Sequence, residues 1–322
     1  MRVLVAGATG AIGPHVVRRL VAAGHYVVGL TRSADKAAAV RSVGAEAVLA
    51  DALEPAEVRS AVAFARPDVI VHEMTALRSA VDLRRFDRNF ELTNRLRTEG
   101  LDNLLEAGRQ CGTSRIIAQS FCGWPYARSG GHVKTEGDPL EPDPPRQLRR
   151  TLEAIRYLEN RVLSSGNMTG LVLRYAAFYG PRTGILEPNL IAQVQQRRFP
   201  QIGSANGWWS FVHIDDAAAA TAIAVERGPC GIYNIADDDP APVNVWLPAL
   251  AAMLGAGPPR RIPAWLGRVL AGEHVVTMMT EVRAGSNSKA RQVLGWQPVF
   301  KSWRSGFVQC LREQLGAQLE VC

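Results

Sequence analysis

Gly7, Thr9, Gly10 and Gly13 fall within Gly7-Ala8-Thr9-Gly10-Ala11-Ile12-Gly13, directly behind the apolar run Val3-Leu4-Val5-Ala6. A short β-branched run of this kind reads as a buried strand, and the glycines behind it read as a tight turn into a helix. Gly7 permits the turn, Gly10 keeps a Cβ out of the path of a pyrophosphate, and Gly13 lets the helix pack close to the strand. Ala11, Ile12 and Gly13 then present the free N–H groups and positive dipole end of the helix to an anion, and Pro14 is tolerated in a first turn. The chemistry expected of this stretch is phosphate capture, as in dinucleotide binding.

Two further groups carry candidate chemistry. Arg32 follows an apolar run that ends at Leu30. An arginine at the end of a second strand pairs with a 2′-phosphate, where an acid would accept from a 2′-hydroxyl. Arg32 therefore points to NADP, with NAD as the alternative. Ser120 closes the run 114–119, and Tyr126 follows six residues later. A hydroxyl at the end of a strand can orient a substrate oxygen, and a phenol can donate a proton or wall an apolar pocket.

The elements that position these groups alternate. Helices are expected over 14–23, 34–43, 89–108 and 147–164, and strands over 25–30, 45–50, 69–72, 114–119, 171–175 and 231–236. The alternation is that of an α/β fold with a doubly wound, Rossmann-type parallel sheet, which binds ligands at the carboxyl ends of its strands. A proline-, glycine- and acid-rich stretch over 130–145 reads as a loop over the site.

The glycine spacing, the helix pattern Asn94, Thr98 and Asn103, the turn Phe178-Tyr179-Gly180-Pro181, the run Phe211-Val212-His213-Ile214-Asp215-Asp216 and the closing Leu294-Gly295-Trp296-Gln297-Pro298 together resemble the extended and atypical short-chain dehydrogenase/reductase superfamily, in its NAD-dependent epimerase/dehydratase branch. The resemblance spans nearly the whole chain. It implies a nucleotide-binding part over 1–180, joined by 206–238, and a smaller C-terminal substrate lobe from 181–205 and 239–322. It also implies that Asp51 and Ala52 border the adenine, that Met74, Thr75 and Ala76 line the pyrophosphate and that Tyr175 borders the cofactor. A homodimer through the helices at 89–108 and 147–164 is a further implication.

In that superfamily a serine or threonine orients the substrate, a tyrosine transfers the proton, and a lysine four residues later holds the nicotinamide ribose and acidifies the phenol. Ser120 fits the first role. No lysine here lies four residues after a tyrosine, and the register set by Glu159 puts Thr151 and Ile155 at the two positions. An unassisted threonine hydroxyl is no general acid near neutral pH. Tyr126 is the candidate proton donor in its place; the pair Tyr157 and Arg161 lies six residues out of register. Tyr179, Phe199, Trp208, Trp209 and Trp265 are candidates for an apolar substrate pocket, and Arg182 for pairing with an anionic substrate group.

Composition sets the remaining limits. The 322 residues are 47% hydrophobic and 21% charged, with a net charge of +7. The basic residues are dispersed, with no long basic run, which argues against nucleic acid. Cys111, Cys122, Cys230, Cys310 and Cys322 show no metal-ligand spacing and no disulfide framework, so a reducing cytoplasm is expected. No run of membrane-spanning length is present, so a soluble protein is expected. The expected function is an NAD(P)-dependent oxidoreductase, transferring hydride to or from a carbonyl- or hydroxyl-type group of a small molecule. The alternatives are a redox-neutral isomerase, dehydratase or cyclase, and a non-catalytic NADP-sensing protein.

Overall fold

The structure is a computed structural model that describes residues 1–76 and 86–319. Its centre is a seven-stranded sheet of β1 (Arg2–Ala6), β2 (Tyr26–Thr31), β3 (Glu46–Leu49), β4 (Val69–His72), β5 (Arg115–Phe121), β6 (Thr169–Tyr175) and β7 (Gly231–Ile235). The order is β7-β6-β5-β4-β1-β2-β3 and every pairing is parallel. Chain direction across the sheet reverses at β1, between β2 and β4, and a ligand crevice is expected at such a switch point.

Both faces of the sheet are covered, so its strands are apolar on both sides. Val3 and Val5 of β1 enter one core cluster, while Leu4 and Ala6 enter the other. On the first face lie α1 (Gly13–Ala22), through Val16, Val17 and Leu20, and α6 (Ile214–Glu226), through its alanines. α2 (Ala34–Arg41) joins that face by Val40. On the second lie α3 (Pro55–Ala65), α4 (Leu101–Gln110) and α5 (Arg149–Leu163), through Val58, Val62, Leu104, Leu105, Leu158 and Val162. A separate cluster around Trp246, Phe211, Trp303 and Phe307 forms the core of the C-terminal elements.

The single helix expected over 89–108 is broken. Phe86–Asn89 and Glu91–Arg95 are short helices, and a π-helical turn, Leu96–Gly100, precedes α4. A wider turn frees a carbonyl from the regular ladder. Leu96 O accepts instead from His72 Nε2 at 2.9 Å. The expected loop over 130–145 contains a two-residue strand, Val133–Lys134, paired with Ala284–Gly285. Among the described residues no helix is long and apolar enough to cross a membrane, and no group of three or more His, Cys, Asp or Glu is placed to hold a metal. Cys111, Cys122, Cys230 and Cys310 are free thiols, and Cys322 lies outside the described residues.

Candidate active site

A groove at the carboxyl ends of β1, β2 and β4 is lined by Gly7, Thr9, Gly10, Arg32, Ala52, Met74 and Thr75, and also by Ser33, Lys36 and Leu96. The three glycines have different reasons to be there. Gly7 has φ +95°, and a Cβ on it would lie 2.6 Å from the Glu73 carbonyl. A Cβ on Gly13 would come 2.2 Å from Gly7 O, so this glycine sets helix-to-turn packing. At Gly10 a Cβ would meet nothing closer than 3.4 Å, so the protein itself does not require a glycine there. What a Cβ at Gly10 would occupy is the groove. α1 starts beside it with no side-chain cap on its first turn, which leaves donors for an anion.

This cradle fits a pyrophosphate, and two substitutions separate its parts. Gly10→Ala is expected to leave thermal unfolding unchanged while weakening nucleotide binding about 10- to 100-fold, the worth of one or two lost charge-assisted hydrogen bonds. Gly13→Ala is expected to lower the unfolding temperature as well. Calorimetric titration with NADPH and a thermal melt of each variant provide the check.

Arg32 is exposed at the end of β2, with Nη1 3.7 Å from Asp51 Oδ2. Asp51 does not cap α3; its Oδ1 accepts from Leu53 N at 3.0 Å in the preceding turn. Thr9 and Thr31 face each other with hydroxyls 3.5 Å apart. Ala11, Ile12, Gly13, Asp51, Ala76 and Tyr175 do not line the groove directly. Ile12 is the buried N-cap position of α1, and Ala76 N donates to Thr93 Oγ1 at 3.0 Å.

Tyr175 leads to a residue the sequence reading left without a role. Its hydroxyl lies 2.8 Å from Glu73 Oε1 and 2.6 Å from Thr221 Oγ1, which donates to Ala217 O at 2.9 Å. Three contacts in a row need three hydrogens, and Tyr175 and Thr221 bring two. A protonated Glu73 supplies the third. Glu73 is 2% exposed, its Oε2 has no partner, and burial pushes its carboxyl up to about 8. A neutral acid at the groove wall is compatible with a neighbouring phosphate where a carboxylate would repel it.

The expected catalytic positions do not line this groove and are closed to acid–base work. Thr151 is fully buried near the start of α5, donating to Asp87 Oδ1 at 2.6 Å and accepting from Asn94 Nδ2 at 3.0 Å. Ile155 packs with Phe86, Trp124, Leu148, Leu152 and Val282. Ser120 and Tyr126 are brought into one buried network. Ser120 Oγ donates to Glu159 Oε1 at 2.7 Å, and Arg174 grips both Glu159 oxygens at 2.7 and 2.6 Å. Arg174 also donates to the Tyr126 hydroxyl at 3.0 Å, and that hydroxyl donates to Asn234 Oδ1 at 2.7 Å. Burial raises the Tyr126 phenol above its ordinary range. Tyr157 and Arg161 instead bind Asp102 on the outer side, and the hydrogen bond to Asp102 raises the Tyr157 phenol.

The five aromatic pocket candidates do not meet in one wall. Tyr179 lies in the C-terminal core with Phe199 and Trp209 packed against it, whereas Trp208 stacks on His132 and Trp265 is 65% exposed. The expected turn at 178–181 is instead a strand, Ala177–Gly180, paired with Phe211–His213, and Arg182 is exposed in the tight turn from it into Thr183–Gly184. The buried aromatic cluster that takes in Ile155 holds Phe86 and Trp124, 5.5 Å apart edge to face, with His274 against both at ring-centroid distances of 4.3 and 5.9 Å. Burial holds that imidazole neutral, at about 3. Phe86 and His274 gave no sequence signal, because they reach this cluster from short helices far apart in the chain. Lys36 and Ser33 could have been found by extending the Arg32 argument into the first turn of the next helix.

Relatives show how widely this architecture recurs. Over 310 residues, 95% of this chain and 99% of the other, the chain is 44% identical to a 3-diazoavenalumate denitrifying reductase of a Streptomyces species. It is 28% identical to a UDP-glucose 4-epimerase of Mycolicibacterium smegmatis, over 92% of this chain and 94% of that one. Among solved structures, the UDP-glucose 4-epimerase of Thermus thermophilus in complex with NAD superposes with a TM-score of 0.74 at 25% identity, over 98% of this chain and all of that one. That of Thermotoga maritima, solved with UDP-glucose, gives 0.76 at 22%, over 99% of this chain and 100% of the other. Residues 3–236, from the first strand to just past the last strand of the sheet, match the profile of one family. The chain belongs to the NAD-dependent epimerase/dehydratase family.

Proposed function

We propose that the protein is an NADPH-dependent reductase that removes a diazo group from a planar aromatic acid, releasing dinitrogen. The observation that carries this reading is the closed state of positions 151 and 155. Reduction of a carbonyl requires a proton at the oxygen as the hydride arrives, and neither Thr151, committed to Asp87, nor Ile155 assists one. Replacement of a diazonium group by hydrogen has no such requirement. The C–N bond breaks, a C–H bond forms, and N2 leaves, so the aryl diazonium and one hydride are converted to arene and dinitrogen with no proton consumed. The 44% identical relative is a reductase named for a diazo substrate, which supports the class.

The chain's residues fit the nucleotide this requires. Gly7, Thr9, Gly10 and the start of α1 would hold the pyrophosphate, Ala52 would border the adenosine with Asp51 behind it against Arg32, and Met74 and Thr75 would continue the wall. Bound there, the reduced nicotinamide supplies the hydride. Arg32 and Lys36 on the groove outnumber Asp51, which favours a 2′-phosphate and hence NADPH. Arg32→Ala is expected to weaken NADPH binding about 10- to 100-fold, by loss of charge-assisted hydrogen bonds, with NADH binding unchanged. Equal losses for both nucleotides would remove the NADP preference. Phe86, Trp124 and the neutral His274 form a dry, buried aromatic cluster whose rings are tilted 50° to 87° to one another, and its edges are the aromatic contacts we assign to the substrate ring. In this arrangement Ser120 and Tyr126 act through the Glu159–Arg174 network, holding the carboxyl edge of β5 and β6 rigid. Residues 181–205 and 239–322 serve as the substrate lobe.

The direct test is 4-carboxybenzenediazonium with NADPH deuterated at the transferable position. Enzyme-dependent loss of NADPH absorbance, N2 release and deuterium in the benzoate product are expected. NADPH consumption no faster than with heat-denatured protein overturns the reading.

A further inference from the structure

Arg97, in the π-helical turn before α4, is 7% exposed, yet among the described residues its charge has no carboxylate of its own. A guanidinium carries five N–H donors. Among the described residues the Arg97 side chain makes one hydrogen bond, a long one of 3.3 Å from Nη1 to Asn94 Oδ1. Glu159 is the acid whose field reaches it, but both Glu159 oxygens are taken by Arg174, and one also by Ser120. Two buried guanidiniums therefore share one carboxylate. His72 adds no further cation, since burial and the Arg97 charge keep its imidazole neutral. Burial lowers Arg97 itself to about 10, which leaves it charged at neutral pH. An uncompensated buried charge is costly to the fold and is retained where a ligand completes it.

The position of this charge limits the ligand. Leu96, the preceding residue, lines the groove with Met74 and Thr75, and Asn94, which accepts from Arg97, reaches across to Thr151. The anionic parts of a dinucleotide are its phosphates, and these are served by the glycine turn and by Arg32. Its nicotinamide end offers only neutral hydroxyls and a carboxamide. We propose that Arg97 anchors an anionic oxygen of the substrate, a carboxylate on a planar aromatic acid, and so sets specificity for acids over neutral analogues. The proposal deepens the reductase reading and rests on it for the location of the substrate. A zwitterion with a diazonium at one end and a carboxylate at the other is accommodated by such an arrangement, its negative end on Arg97.

The test is equilibrium binding, independent of turnover. Protein saturated with NADPH is titrated calorimetrically with cinnamate and with cinnamamide, which differ in charge and little in shape. Cinnamate is expected to bind at least about tenfold tighter, in line with a charge-assisted hydrogen bond. Arg97→Met is expected to abolish the preference with NADPH affinity unchanged within about twofold, and Arg97→Lys to keep part of it. Thermal melts establish that each variant is folded, and if Arg97→Met is not, Arg97→Lys against wild type decides. Equal affinity for acid and amide in the wild type, no cinnamate binding, a preference that survives Arg97→Met, or a parallel loss of NADPH affinity each overturns the assignment. Cinnamate binding that depends on Arg97, in a protein that leaves diazonium and NADPH unreacted, would instead refute the reductase reading and keep the anchor.

Discussion

Glu73→Gln is expected to make the fold more stable than wild type at pH 9 by roughly 5 kcal/mol, and to leave it within about 1 kcal/mol of wild type at pH 4, at about 1.4 kcal/mol per pH unit of displacement. Burial raises this carboxyl from 4.5 to about 8. Below pH 4.5 it is protonated in both folded and unfolded chains, and the full stability is present. As pH rises towards 8 the unfolded chain ionises freely while the folded one resists, and that stability is lost. Glutamine cannot ionise, yet its amide can donate to the Tyr175 hydroxyl as the protonated acid does. Asp237 acts in the same direction, being buried, with Oδ2 unpartnered and its carboxyl also at about 8. Urea unfolding at pH 4, 7 and 9 is the measurement. Parallel curves for the two proteins would show that Glu73 is ionised in the folded state.

Glu159→Gln is expected to cost about 3–5 kcal/mol at neutral pH, the range for removing one partner of a buried ion pair. Arg174 and Glu159 are each about 5% exposed, and the bidentate contact satisfies both carboxylate oxygens. Without the charge, Arg174 and Arg97 would be buried cations with no anion between them. The loss should exceed that of Ser120→Ala, which removes one hydrogen bond worth about 1 kcal/mol. Urea denaturation of both variants measures the difference. Similar losses would mean that water reaches Arg174 and screens it.

The sheet and the phosphate cradle were legible in the sequence because the signals are local. Val3 to Ala6 declares a buried strand, and seven residues carry all three glycines. Thr151 and Ile155 needed more than a local signal, since their positions come from the register that Glu159 sets in the resemblance. What neither could supply was the partners. Ser120, Glu159 and Arg174 come from three elements, and Tyr126 meets Asn234 across 108 positions. Likewise the charge deficit at Arg97 exists only once Glu159 is seen to be occupied. The π turn was missed because one extra residue in a helix leaves its apolar pattern almost intact, while changing which side chain points inward.

The path between β6 and β7 has a consequence for how the molecule comes apart. These neighbouring strands pair in register from Gly231 with Leu171 to Ile235 with Tyr175, and the chain between them makes an excursion that contributes Tyr179, Leu186, Val194, Ile202 and Phe211 to the C-terminal cluster before α6 returns it. Closing so long a loop is entropically unfavourable, and the packing of that cluster offsets the cost. If the cluster melts, the excursion becomes slack chain, β7 loses its tether and β6 becomes a bare edge. The molecule should therefore come apart from its C-terminal cluster inward, with amides of β7 exchanging alongside those of the cluster while β1 and β4 exchange last.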